Sequence, residues 1–166
     1  MATILDATIG GELANSYAEL ADADAYFEDD PHRRELWLQH EPVQRERALR
    51  FATRYIDRLR LRGEVLSLGQ ALHFPTSETV DRQGEAYIPA AIQYAECEWA
   101  LSLLENPPQS RIDRAALRSQ GVEAIGRPGL EERYAKGPAL PVVPIPPEAY
   151  AFLRPWLGGG VAATRG

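Results

Sequence analysis

The fold is decided by the stretch at residues 89–105, PAAIQYAECEWALSLLE. Proline is well suited to the first position of a helix, and Pro89 opens this one. One side of the helix carries Ile92, Ala95, Trp99 and Leu103, with Ala100, Leu101 and Leu104 broadening it. A helix that is apolar around so much of its circumference belongs in the centre of a core. The stretch therefore predicts the central helix of a helical fold.

A second long helix is predicted at residues 42–62, PVQRERALRFATRYIDRLRLR, between Pro42 and Gly63. Its apolar stripe consists of Leu49, Ala52, Ile56 and Leu59. Another side carries arginines spaced three, four and four residues apart, which places them on one face. We call this set the arginine stripe: Arg47, Arg50, Arg54 and Arg58.

The first helix is predicted to open at Ser16, which forms a capping-box pattern with Glu19. Its apolar positions are Tyr17, Leu20, Ala23 and Phe27. Three acids, Asp22, Asp24 and Glu28, lie toward the C-terminal end, where the helix dipole disfavours negative charge. We therefore expect a nearby basic group to compensate them. A short helix is predicted at residues 33–40.

The remaining segments complete a mainly α fold: a small helical bundle of three main helices, with a β-hairpin insertion and extended N- and C-terminal arms. The predicted divisions are an N-terminal arm (1–15), the bundle (16–110), a hairpin (111–136) and a proline-rich arm with a short helix (137–166). Residues 64–87 are predicted to form an irregular loop. The last arm carries large apolar side chains that must either fold back on the bundle or dock on another chain. These are Tyr150, Phe152, Leu153, Trp156 and Leu157.

Composition and motifs exclude several classes of protein. Hydrophobic residues are 45% and charged residues 25% of the chain, which are globular values. No apolar run is long enough to cross a bilayer, so no membrane association is expected. The single cysteine, Cys97, and three histidines show no metal-ligand spacing. Nucleotide-binding and hydrolase signatures are absent as well. We therefore expect no catalysis, no cofactor and no metal.

The formal net charge of −6 hides a strong asymmetry along the chain. Residues 1–42 contain two arginines and ten acids, whereas residues 43–62 contain seven arginines and two acids. The arginine stripe can be a solvated face, a charge-complementary contact with Asp22, Asp24 and Glu28, or a phosphate-binding surface. The second of these can lie within one subunit or between neighbours. None of the stripe positions is aromatic, which argues against base stacking.

Residues 16–105 resemble a family of head–tail connector (adaptor, or neck) proteins of tailed phages, which often carries the label "DnaT-like single-stranded-DNA-binding protein". The matching pieces are SY at 16–17, ADAYF at 23–27, ALRFATRYID at 48–57, QALHFP at 70–75, DRQG at 81–84, IP at 88–89, AE at 95–96 and AL at 100–101. Their order and spacing together carry the resemblance. Many relatives have Trp-Pro where this chain has Phe74-Pro75.

The resemblance implies a structural protein of the virion neck, present in the host cytoplasm during assembly. Such connectors form a homo-oligomeric ring, usually of twelve copies, beneath the portal protein. The ring extends the channel for genomic double-stranded DNA and offers a platform to a tail-completion or stopper protein. The alternative function is a single-stranded nucleic-acid-binding module that uses the arginine stripe. Such a module would bind single strands with salt-sensitive affinity.

Overall fold

The computed structural model describes residues 4–106, 124–127, 130–133 and 145–158. Within them the chain is mainly helical, as the sequence predicts. The helices are α1 (Leu20–Glu28), α2 (Pro31–Leu38), α3 (Pro42–Asp57), α4 (Ala90–Glu105) and α5 (Pro147–Leu153), followed by a 3₁₀ turn (Arg154–Trp156). No helix among these residues is both long enough and apolar enough to cross a membrane.

Helix α4 is the centre of the core, which confirms the prediction. Every residue from 95 to 101 is buried, so the helix is covered on all sides there. Aromatic and aliphatic side chains from the other helices pack around it, and burying each such side chain contributes about 1.5–3 kcal/mol. The largest fully buried apolar side chains of the core come from α4 itself, from the other helices and from the connecting segments. They are Trp37, Trp99, Tyr17, Phe27, Phe74, Leu49, Ile56, Ile92 and Leu153.

Helix α1 begins later than predicted. Its N-cap is Glu19, which exchanges capping hydrogen bonds with Asp22, and the first helical residue is Leu20. Ser16 is not a cap. Its hydroxyl is buried beside the carboxyl group of Glu96, 2.6 Å away, because this part of the chain is drawn into the core. The helix ends at Glu28, and Asp30 then caps α2 through the backbone amides of His32 and Arg33.

Helix α3 begins at Pro42 as predicted but ends at Asp57, several residues before Gly63. The reason is tertiary. Beyond the helix the backbone bonds to the C-terminal segment, since the Arg62 amide donates to the Trp156 carbonyl (2.8 Å) and the Gly158 amide donates to the Arg60 carbonyl (2.6 Å). These bonds replace the ones that another helical turn would have made.

The loop between α3 and α4 is irregular, as predicted, and is held by side chains. The side-chain amide nitrogen of Gln70 donates to the carbonyl oxygens of Leu72, His73 and Pro75 at 2.8–3.0 Å. The Asp81 carboxylate accepts from the backbone amides of Gln83 and Glu85, which forms a turn at 81–84. The Phe74–Pro75 peptide bond is cis, and the Phe74 ring is buried.

Both arms, where described, lie against the bundle. The Asn15 side chain donates to the Ile4 carbonyl and accepts from the Asp6 amide, and the Ala71 amide donates to the Gly11 carbonyl. At the other end α5 folds back, so of the two possibilities left open for this arm the structure shows the intramolecular one. Leu153 is fully buried and the Trp156 ring meets Phe74 edge to face. Residues 1–3, 137–144 and 159–166 lie outside the described residues.

A second compact unit comprises Glu105–Ile145. Within it β1 (Ala124–Arg127) and β2 (Leu130–Arg133) pair antiparallel, with Ala124 opposite Arg133 and Arg127 opposite Leu130. These strands fall inside the range predicted as a hairpin. The other residues of 111–136 lie outside the described residues.

Candidate nucleic-acid interface

The outward side of α3 combines positive charge with an aromatic ring. Arg47, Arg54 and Arg58 are exposed, and the Phe51 ring between them is 49% exposed. Positions 47, 51, 54 and 58 are spaced four, three and four residues apart, so they share one side of the helix. We call these four residues the outer face of α3.

Phe51 corrects one expectation from the sequence, that no aromatic group accompanies the arginine stripe. Its ring lies 5.3 Å from the guanidinium carbon of Arg54, a cation–π distance. The signal for it is present in the sequence, since residue 51 is four residues after Arg47 and three before Arg54. A count restricted to the arginine positions misses it.

Arg50 has a different environment from the other members of the arginine stripe. It is only 9% exposed, and its guanidinium lies 3.9 Å from the Glu46 carboxylate, one turn earlier. Its position lies between the outer face and the buried side of the helix. The structure therefore leaves three stripe arginines exposed, rather than four.

Two of the three acids of α1 have basic partners within the chain, and these partners are not in the arginine stripe. Asp24 pairs with Arg45 and also accepts from the Trp37 indole nitrogen at 2.6 Å. Glu28 pairs with Arg34 at 2.9 Å. Asp22 serves as the reciprocal partner in the α1 capping box. Compensation of α1 by basic groups is thus present, but for Asp24 and Glu28 it comes from α3 position 45 and from α2.

The inner side of α3 is fixed by a buried carboxyl group. Glu96 of α4 is fully buried, and its Oε1 lies 2.6 Å from both the Ser16 and Thr53 hydroxyls. The Tyr17 amide donates to Oε2 at 3.0 Å. Burial raises the pKa of Glu96 to about 8, against the opposing effect of these hydrogen bonds. The partners of this buried carboxyl group are two hydroxyls and a backbone amide.

A second acid, Glu98, joins three helices on another side of α4. The Tyr26 hydroxyl donates to it at 2.7 Å, and Arg33 forms an ion pair with it. Burial, and then the hydrogen bond to Glu98, raises the pKa of Tyr26 above its usual range. Arg33 also lies 4.0 Å from Glu148 of α5. These groups contact one another and link the helices of the bundle, which gives them a structural role.

The C-terminal end of α3 is tied to the loop that follows. Asp57 accepts from the Tyr17 hydroxyl at 2.5 Å and from the His73 amide at 2.7 Å.

The single cysteine has a structural environment. Cys97 is buried, and burial raises the pKa of its thiol well above the usual value, so it remains a protonated packing group. Among the described residues no cluster of His, Cys, Asp or Glu could hold a metal ion.

A groove of about 860 Å³ lies between the N-terminal arm and helices α1 and α3. Its apolar lining includes Leu5, Leu13 and Leu20, and its charged lining groups are all acidic: Asp6, Glu19 and Glu46. Hydrogen bonds from Thr8 lower the pKa of Asp6, which favours its ionised form. Because all these charges are negative, the groove repels phosphate. It is therefore a poor counterpart for nucleic acid, unlike the outer face of α3.

The predicted docking residues of the C-terminal arm are mostly occupied within the chain. Leu153 is buried, the Phe152 ring meets the Tyr94 ring edge to face, and the backbone of Leu157 pairs with that of Leu61 in an antiparallel bridge. Tyr150 remains 46% exposed.

One family model matches the chain over its whole length. The family model described as "Putative DnaT-like ssDNA binding protein" matches residues 1–166. The chain belongs to this family. The match includes every described helix and strand, so both compact units belong to the family. No curated protein and no solved structure matches the chain significantly.

Proposed function

We propose that this protein binds single-stranded DNA through the outer face of α3. The observation that carries the proposal is the set of exposed arginines Arg47, Arg54 and Arg58 along one side of α3 and its C-terminal cap. The family description, which names single-stranded DNA, supports it across the whole chain. Arginine suits this role because its guanidinium group forms bidentate bonds with phosphate.

The overall acidity of the chain sets the strength of the interaction. With a net charge of −6, the protein repels DNA at long range, and attraction is confined to the outer face. Each phosphate contact to a single strand contributes about −0.7 to the slope of log K against log salt. Three exposed arginines therefore give a slope of about −2. The binding is weak at physiological salt and clear at low salt.

The test is a titration of a fluorescently labelled single-stranded oligonucleotide, read by anisotropy at several salt concentrations. Replacing Arg47 and Arg58 by Glu should lower the affinity by about tenfold or more at low salt. The matched control replaces Arg82 and Arg154, exposed arginines outside α3, by Glu and makes the same change in net charge. Equal losses from the two double variants, or no binding by the unmodified protein, would exclude this function.

We propose as a second candidate a head–tail connector of a tailed phage, which the resemblance at residues 16–105 suggests. One observation favours it: the chain exposes acids at Glu12, Asp22, Glu28 and Asp29 as well as the basic outer face of α3. Exposed charges of opposite sign on different segments of one chain suit a head-to-tail contact between identical copies. Such heterologous contacts form a ring when the rotation between successive copies closes. The partners in this function are the portal protein, a tail-completion or stopper protein and the DNA in the channel.

The mass in solution, measured by light scattering, tests the connector. The chain has a mass of 18.4 kDa, and twelve copies would have a mass of about 221 kDa (12 × 18.4 kDa). We expect a ring-sized species alone or with a candidate portal, and its loss in the Arg47 and Arg58 charge-reversal variant. A monomer under both conditions would exclude a stable ring. The oligonucleotide titration is independent of this result.

A further inference from the structure

Phe51 has a different environment from the other phenylalanines of the bundle. Phe27 and Phe74 are 1% exposed and belong to the core, whereas Phe51 is 49% exposed on the outer face of α3. Its neighbours on that face are Arg47, one turn before it, and Arg54, one turn after it. Phe51 therefore lies between two arginine positions of one helix face, and one of these guanidinium groups, that of Arg54, is in contact with its ring.

An exposed ring between cations matches the chemistry of an unpaired nucleotide. Bases stack on aromatic side chains regardless of sequence, since every base has a π face, while arginines contact the phosphates. Residues 47, 51 and 54 lie about 6 Å and about 4.5 Å apart along the helix axis, so one nucleotide can reach both kinds of group. The charge and the ring are thus within reach of the same short length of strand.

The contact between Arg54 and Phe51 prepares this arrangement before any ligand binds. The guanidinium carbon is 5.3 Å from the ring centroid. This attraction restricts the rotamers of both side chains and keeps the ring beside the charge. A side chain that is already ordered loses less entropy on binding.

We infer that Phe51 is a base-stacking platform that makes the outer face of α3 select unpaired strands over duplex DNA. This inference rests on the proposed binding of single-stranded DNA and adds the residue that determines specificity. Duplex bases are already stacked on one another and their faces are covered, so a duplex can use only the arginines. A single strand can use both the arginines and the ring.

The test compares Phe51→Leu and Phe51→Tyr with the unmodified protein. Leucine keeps the apolar bulk and removes the ring, whereas tyrosine keeps the ring. Binding is measured by anisotropy with labelled oligothymidylate and with a duplex of the same length. A thermal melt of each variant checks the fold. Tyr87→Ala, which removes a 43% exposed ring outside the helices, is the matched control.

The expected result separates stacking from charge. Phe51→Leu should weaken oligothymidylate binding by roughly five- to 100-fold, the range observed when a stacking ring is removed. Duplex binding and the salt slope should stay unchanged in this variant, because no phosphate contact is lost. Tyr87→Ala should bind as the unmodified protein does, and Phe51→Tyr, which keeps a stacking ring, should bind oligothymidylate more tightly than Phe51→Leu. Arg47→Gln should instead reduce the salt slope for single strands by about 0.7.

Three results would overturn the inference, and they differ in what they leave standing. Oligothymidylate binding that Phe51→Leu does not change would remove the stacking platform but leave the proposed function intact. Equal weakening for single strand and duplex would show that Phe51 does not discriminate between them. A lack of oligothymidylate binding by the unmodified protein would overturn the inference and the proposed function together.

Discussion

The two faces of α3 differ in how far the rest of the chain covers their side chains. The inner face carries Leu49, Thr53 and Ile56, and the outer face is the one defined above. On the inner face Leu49 and Ile56 are fully buried, and the Thr53 hydroxyl is 2.6 Å from the buried carboxyl of Glu96. On the outer face Phe51 is half exposed, and its ring contact is with Arg54 of the same helix. The side chains of the inner face are buried in the core, whereas the outer face presents charge and an aromatic ring to solvent. Of the two faces of α3, only the outer one is accessible from solvent.

The largest effect we expect is a difference in unfolding free energy between a variant of the inner face and a variant of the outer face. Leu49→Ala should lower the free energy of unfolding by about 2–5 kcal/mol, because it leaves a cavity in a fully packed core. Phe51→Ala should change it by about 0.5 kcal/mol or less, because the ring is half exposed. Urea denaturation of both variants measures the difference. Similar losses from both would mean that Phe51 belongs to the core and would invalidate the contrast.

A second effect concerns pH and the carboxyl of Glu96. The pKa of Glu96 is raised to about 8 in the folded protein from an ordinary value of 4.5, so the folded state holds a proton that the unfolded state releases. This contribution to stability is fully present below about pH 4.5 and is lost as pH rises toward about 8. The slope should be at most about 1.4 kcal/mol per pH unit, and it should flatten above about pH 8.

Glu96→Gln is the matched control for this titration, because glutamine keeps the size of the side chain and cannot ionise. Urea midpoints of the two proteins are measured across pH 4–9. The midpoint of the unmodified protein should fall relative to that of the variant as pH rises. The difference in unfolding free energy between the unmodified protein and the variant should fall as pH rises between about 4.5 and about 8. Parallel curves across that window would show that Glu96 does not titrate there.

The smallest effect sharpens the boundary between the two faces. Arg50 is 9% exposed and lies near Glu46, whereas Arg58 is exposed. Arg50→Ala should cost about 1 kcal/mol of stability, partly through lost packing of its aliphatic stem. Arg58→Ala should cost about 0.5 kcal/mol or less. Thermal melts of the two variants at the same pH make the comparison. A larger loss for Arg58 would place the boundary of the outer face elsewhere.

Sequence reasoning located the helices well and their ends less well. Pro42 marks the start of α3 because proline is well tolerated in the first turn of a helix, so a local rule is sufficient there. The end of α3 at Asp57 depends on backbone bonds from Arg62 and Gly158, nearly a hundred residues apart in sequence. No local pattern contains that information.

The candidate site shows the same division. The spacing of the arginines predicted a basic face, and three of the four are exposed. Spacing could not tell that Arg50 would be buried, or that Arg45, outside the stripe, would pair with Asp24. Those outcomes depend on where α1 and α2 lie against α3. Phe51 could have been found by extending the spacing argument to apolar residues.

By itself the sequence determined the helical class, the central helix and the side of α3 that carries positive charge. These follow from periodicity and composition, which act over a few turns of one helix. Only the tertiary structure decided that Ser16 and Thr53 meet at Glu96, that the C-terminal arm folds back, and that Phe51 stays half exposed. Each of these depends on contacts between segments far apart in the chain. Their free energy comes from packing and desolvation in the assembled core.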